Sequence, residues 1–120
     1  MRGESNLTRD ADFQRVYDRG RAWAGKEVVV RALPTGLDFT RCGFVVGRRV
    51  GKAVDRNHIK RRLREILRQS PLPVGWDIIV IARAPAVQAD FQDLKKTIEG
   101  LLSKAGLVAG ENESAGPGTN

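Results

Sequence analysis

Apolar positions first recur at helical spacing between Thr8 and Arg19, where Phe13, Val16 and Tyr17 share one face. Thr8 stands where an N-cap belongs and Gly20 where a helix stops, so the segment predicts a short amphipathic helix. The period then changes. Glu27 to Leu33 carries three consecutive valines and is closed by the turn cluster Pro34, Thr35 and Gly36; Phe39 to Gly47 is a second apolar, β-branched run. The two read as paired strands. From Asp55 to Gln69 the spacing is helical again, and it stops before Ser70, Pro71 and Pro73, because proline fixes φ and lacks the N–H a helix needs. Trp76 to Ala82 is an almost unbroken apolar strand. Ala89 to Ala105 is a helix with Leu94, Ile98, Leu101 and Leu102 at core spacing; Gly100 interrupts it at a cost of about 1 kcal/mol relative to alanine.

The residues alone therefore give helix, strand, strand, helix, strand, helix, a small sheet with helices packed on it whose strand order local rules leave open. A chain of 120 residues holds one core and not two. Beyond Leu107 the composition turns to Gly, Glu, Ser, Asn and Pro, so a single domain over residues 1–107 is expected to be followed by a disordered tail, 108–120. No apolar run approaches the roughly 18 residues that span a membrane, and Met1 to Asp12 mixes both charge signs without the apolar stretch of a secretory signal. A soluble, cytoplasmic protein is the expectation. The lone Cys42 has no partner for an intramolecular disulfide and no nearby Cys or His with zinc spacing; it reads as a small buried strand residue.

Charge changes the picture because of where it sits. Between Arg41 and Arg68 ten Lys or Arg residues face only Asp55 and Glu65, a local excess of +8, while the other 92 residues sum to −1. A dense positive patch attracts a polyanion, with nucleic acid ahead of an anionic membrane surface. On the helix that starts at Asp55, a plausible N-cap, a rotation of roughly 100° per residue puts Ile59, Leu63, Ile66 and Leu67 toward the sheet. The same rotation gathers Arg56, Asn57, Lys60, Arg61, Arg64 and Arg68 into one adjoining stripe, with Arg62 well away from it. A merely solvated face has no reason to stack cations at i, i+4, i+8 and i+12, since like charges at that spacing repel. Arginine's planar fork suits phosphate oxygens, and Asn57 adds an amide able to donate to sugar or base. Just upstream, Gly47 to Lys52 superficially suggests a phosphate-binding loop. It is one residue short, and Ala53 stands where the magnesium-binding hydroxyl would be. The glycines instead let a strand end turn toward the helix, and Arg48, Arg49 and Lys52 extend the basic surface.

The run Arg56, Asn57, Lys60, Arg61 and Arg64, preceded by Gly51, Lys52, Ala53 and Val54, resembles the signature helix of the bacterial ribonuclease P protein family. Asp12, Phe13, Gln14, Val16 and Tyr17, followed by Gly20, are similar to that family's first helix; Ile79 to Arg83 with Pro85 and Ala86 resemble its later strand and loop. The resemblance covers roughly residues 7 to 105. It implies an α+β, two-layer α/β sandwich of about four strands in the order α-β-β-β-α-β-α, with a left-handed βαβ crossover where general chirality would favour a right-handed one. It also implies a protein, monomeric by itself, that joins a catalytic RNA. The holoenzyme cuts the 5′ leader from precursor tRNA with Mg2+ held mainly by RNA, the protein supplying no catalytic residue and binding no metal tightly.

On that pattern Arg48, Arg49, Lys52, Arg56, Asn57, Lys60, Arg61, Arg64 and Arg68 meet the catalytic RNA, and Phe13, Tyr17, Arg31 and Phe44 line a leader-binding cleft between the first helix and the sheet. Cations hold structured RNA through phosphates, whereas a single-stranded leader exposes base faces on which aromatic rings stack. Two positions depart from the family: Arg31 stands where an aromatic residue is common, and His58 where a further Arg or Lys is common. Two rivals are weaker. A protein-only nuclease needs convergent carboxylates or histidines, and Asp10, Asp12, Asp55, Asp77 and Asp90 are scattered while His58 is the sole histidine. A DNA-binding or ribosomal-type module shares the basic helix, but no second helix with a short turn precedes Asp55, as a helix-turn-helix requires.

Overall fold

The computed structural model describes residues 4–108; residues 1–3 and most of the expected tail, 109–120, lie outside the described residues. Val108, assigned to that tail, packs in part against the core. The elements are β1 (Glu4–Asn6), α1 (Asp10–Arg19), β2 (Arg21–Ala24), β3 (Val28–Pro34), β4 (Thr40–Val45), a 3-10 turn (Arg48–Val50), α2 (Ala53–Gln69), β5 (Trp76–Ala82), a second 3-10 turn (Ala84–Gln88) and α3 (Phe91–Ala105). From α1 onward the order is α-β-β-β-α-β-α, four strands and three helices, and β1 adds a short parallel edge beside β4.

The sheet runs β1-β4-β5-β3-β2. The expected pairing of β3 with β4 is not made: β5 lies between them, antiparallel to β3 and parallel to β4. The reason is in its sequence. Ile78, Ile79 and Val80 are fully buried, so this strand is apolar on both faces and belongs at the centre. The loop from β3 to β4 is consequently wide, and Gly75 stitches it by accepting from Thr35 N–H and donating to Phe39 O. The φ of 91° at Gly75 is one that side chains avoid. The parallel β4-α2-β5 unit is the crossover to which the family resemblance assigns a left hand.

Strand alternation splits the core in two. One face sends Val28, Val30, Ala32, Cys42, Ile78, Val80 and Ala82 toward α2 and α3, which answer with Ile59, Leu63, Ile66, Leu67, Leu94, Ile98, Leu101 and Leu102. Cys42 is thus the buried strand residue its surroundings implied. The other face is covered in part by α1, where Val16 joins Leu7 and Ile79 with Phe13 and Leu33 against them.

Helix ends differ from the sequence reading by a residue or two. The cap of α1 is Arg9, not Thr8, and acidic Asp10 and Asp12 in the first turn suit the positive end of the helix dipole. The helix α2 begins two residues before Asp55, which is no N-cap: it sits one turn in, where its carboxylate accepts from Lys52 N–H at 3.3 Å. The helix α3 is capped by Asp90, which accepts from Asp93 N–H at 2.8 Å, and closes on Gly106 at φ 74°.

Candidate nucleic-acid interface

The stripe on α2 is backed by the residues expected to back it. Ile59, Leu63, Ile66 and Leu67 are buried, which turns Asn57, Arg61, Arg64 and Arg68 out to solvent with Lys60 half-exposed beside them. Arg48, Arg49 and Lys52 are exposed on the stretch leading into α2, where buried Val50 anchors the 3-10 turn. Lys60 and Arg61 make no hydrogen bond or ion pair among the described residues. Within the described residues their charge is not neutralised.

Other cations of the same segment are partly committed. The half-buried Arg56 donates from Nη1 to Gly51 O at 2.8 Å, which fixes the entry into α2. Arg62, off the stripe, donates to Ala89 O at 3.2 Å and ties α2 to the turn before α3. Arg68 pairs with Glu65 one turn back, and the hydrogen bonds from Arg68 and then Gln69 hold the Glu65 carboxyl below its ordinary value. Arg64 lies over the ring of Phe44, 5.6 Å from its centroid.

That last contact corrects an expectation. Phe44 does not share a cleft with Phe13, Tyr17 and Arg31. It follows Gly43 on β4, and alternation turns it to the α2 face, where it packs against the main core and carries Arg64. The other three lie on the α1 face, where Tyr17 and Arg31 touch. Phe13 is half-buried and Tyr17 is 36% exposed. Arg31 donates from Nη2 to Tyr17 O at 2.8 Å, and its guanidinium lies 5.3 Å from the Tyr17 ring centroid. Beside them Val29, Ile81 and Val45 form one cross-strand row, each half-buried, a floor that α1 leaves partly open.

Two features of this face escaped the sequence reading. Gly43 lies under Phe13: a Cβ there would come 2.6 Å from Phe13 Cζ, so only glycine lets the ring rest on the strand. A glycine inside an apolar strand is the available signal, since it marks close approach. The second is Arg41, which grips fully buried Asp77 through Nε at 2.8 Å and Nη2 at 2.6 Å and reaches Asp12 of α1 through Nη1 at 3.3 Å. The hydrogen bond to Asp77 raises the Arg41 pKa above its ordinary value. Asp12 and Asp77, scattered in sequence, are therefore neighbours in space. Arg41, counted in the basic segment, is neutralised on the opposite face from α2 and adds nothing to that patch. An aspartate at the second position of an otherwise apolar strand is the clue, because such a carboxylate demands a partner.

Among the described residues no group of three or more His, Cys, Asp or Glu converges as metal ligands, and none of the helices is long and apolar enough to cross a membrane. His58 is exposed on the first turns of α2.

Comparison with known proteins adds a consistent picture. Residues 1–106 match the family described as Ribonuclease P. A ribonuclease P protein component of Dehalococcoides mccartyi is 40% identical over 113 residues, 94% of each chain, and one of Caldanaerobacter subterraneus is 39% identical over 86% of this chain and 90% of its own. Among solved structures, the RNase P protein of Staphylococcus aureus is similar with a TM-score of 0.78 at 33% identity, covering 90% of this chain and 99% of that one. The protein from Thermotoga maritima gives 0.76 at 33% identity over 83% and 96%.

Proposed function

Because this chain belongs to the ribonuclease P protein family, we propose that it is the protein subunit of a bacterial ribonuclease P, which binds the catalytic RNA and the 5′ leader of precursor tRNA and assists removal of that leader. What supports the division of labour is that the sheet has two unlike RNA-competent faces. On one, α2 and the loop before it offer Arg48, Arg49, Lys52, Asn57, Lys60, Arg61 and Arg64, fixed on a helix whose other side is buried. Cations on a rigid element track the phosphates of a folded RNA and position it without reading sequence. On the other, Phe13, Tyr17 and the Val29, Ile81 and Val45 floor offer ring faces and apolar area to an unpaired strand.

The protein then acts by holding substrate and catalyst together, and the bond is broken at the RNA. Magnesium, which the family's reaction uses, has no fitting seat among the described residues. The two carboxylates that the fold brings together on the α1 face, Asp12 and Asp77, both face the Arg41 guanidinium, whose charge repels a metal cation. The ion belongs with the RNA. Such a protein works in the cytoplasm, where precursor tRNA is.

The test is cleavage of a precursor tRNA by a bacterial ribonuclease P RNA at low magnesium, with and without this protein. Strong stimulation at the mature 5′ end is expected. RNA binding that leaves cleavage unchanged would sink the reading.

A further inference from the structure

Arg31 stands on β3 at the centre of the α1 face, and its surroundings do not balance its charge. Its cross-strand neighbours are Ala22 on β2 and Ile79 on β5, neither of which is acidic. Asp77, the acid that β5 carries on this face, is taken by Arg41. What Arg31 touches is Tyr17: the ring, 5.3 Å away, and the carbonyl, which accepts from Nη2. Its Nε is buried without a hydrogen-bond partner. These contacts hold the guanidinium as a fixed plane. A half-buried cation held in place beside a ring and a carbonyl, with no carboxylate paired to it among the described residues, is electrostatically incomplete, and an anion completes it.

The same contacts favour an anion over a stacked base at this residue. Nε is buried and Nη2 already donates one hydrogen to Tyr17 O, so the Nη1 and Nη2 hydrogens that remain are what can meet a phosphate oxygen. Tyr17 in turn has spent one ring face on Arg31, leaving the other for a base. We propose that Arg31, clamped on Tyr17, takes a backbone phosphate of the single-stranded leader, so that this subsite grips the leader by charge and ignores base identity. The proposal rests on the leader-binding reading of the α1 face given above.

The test uses the holoenzyme, assembled from this protein and a bacterial ribonuclease P RNA, and precursor tRNAs carrying one uncharged methylphosphonate at successive leader linkages. Binding is measured against salt concentration, with leaderless tRNA as the reference. One linkage is expected to be sensitive: neutralising it should weaken binding roughly tenfold at low salt and reduce the salt slope by about 0.7. The variant Arg31→Gln should show that loss with the unmodified leader and no further loss at the sensitive linkage, while Arg31→Lys keeps the sensitivity. Because the charge is also removed from the RNA, the wild-type scan can overturn the proposal even where Arg31→Gln folds poorly, and Arg31→Lys then carries the attribution. A scan with no sensitive linkage, or one equally sensitive in Arg31→Gln, overturns the proposal and leaves leader binding intact. A holoenzyme that binds precursor and leaderless tRNA alike overturns both the proposal and the reading beneath it.

Discussion

The ring of Phe13 rests directly on Gly43, where a Cβ would come within 2.6 Å of Cζ and 2.9 Å of Cε2. Helix α1 is thereby set against the central strands at a distance that only glycine permits. Gly43→Ala should lower stability by about 1–3 kcal/mol, the cost of forcing atoms into a packed site. It should also weaken discrimination of precursor from mature tRNA. Shrinking the ring in the double variant Phe13→Leu, Gly43→Ala should recover much of the stability in denaturant titrations; additive losses would show that the two residues do not share the space.

Arg41 and Asp77 form a bidentate pair in which the carboxylate is fully buried. Removing the cation alone leaves a buried charge uncompensated, so Arg41→Met should destabilise by about 3–5 kcal/mol. Adding Asp77→Asn should relieve part of that loss, because no net charge is then stranded. The raised pKa of Arg41 places its deprotonation beyond the ordinary range, so this contribution should stay constant from pH 6 to pH 9. A melting temperature that tracks pH over that interval in wild type but not in Arg41→Met would contradict it.

On α2 the side chains divide by what holds them. Arg61 is engaged by nothing among the described residues, Arg64 only by the Phe44 ring, and Arg62 is bound to Ala89 O. Arg61→Ala and Arg64→Ala should each flatten the salt dependence of RNA binding by about one unit of slope and leave the melting temperature nearly unchanged. Arg62→Ala should lower the melting temperature and leave the slope alone. Equal slopes for all three would defeat the facial assignment.

Glu65, held below its ordinary carboxylate value by Arg68 and Gln69, gives the end of α2 an acid sensitivity. Its pKa is lower folded than unfolded, so the stabilisation is full above the unfolded value of 4.5 and fades as pH falls through the folded one. Thermal melts from pH 6 down to pH 3 should therefore decline more steeply for the wild type than for Glu65→Gln. Parallel curves would assign the carboxylate no role.

Much of this molecule was legible before its coordinates. Ile59, Leu63, Ile66 and Leu67 back the basic stripe as their spacing said, because α2 is long and its two faces differ sharply. The strand Trp76 to Ala82 begins and ends where its apolar run does. What escaped was decided at a distance. No local rule says that β5 enters between β3 and β4, since that depends on which strand is apolar on both faces. Phe44 was misplaced because aromatic character was read without strand parity: one step from Gly43 moves a side chain through the sheet. The strand β2, Arg21 to Ala24, is too short and too exposed to carry a period and forms because β3 offers it an edge. Asp12, Arg41 and Asp77 lie far apart in sequence and meet only after α1 has docked.

The insertion of β5 also sets an order in time. As the chain is synthesised, β3, β4 and the whole of α2 are made before the strand that joins them exists, and within the sheet β4 has no link to β3 except through β5. The pairing of β3 with β5 closes across residues 35 to 75, and contacts so distant form slowly compared with a helix. A nascent chain halted before Trp76 would carry a cation-rich helix whose apolar side has nothing to rest on, and an α1 with no floor beneath it. Both faces would come into being together, at the moment the last strand is delivered, and neither could be inherited by a shortened fragment.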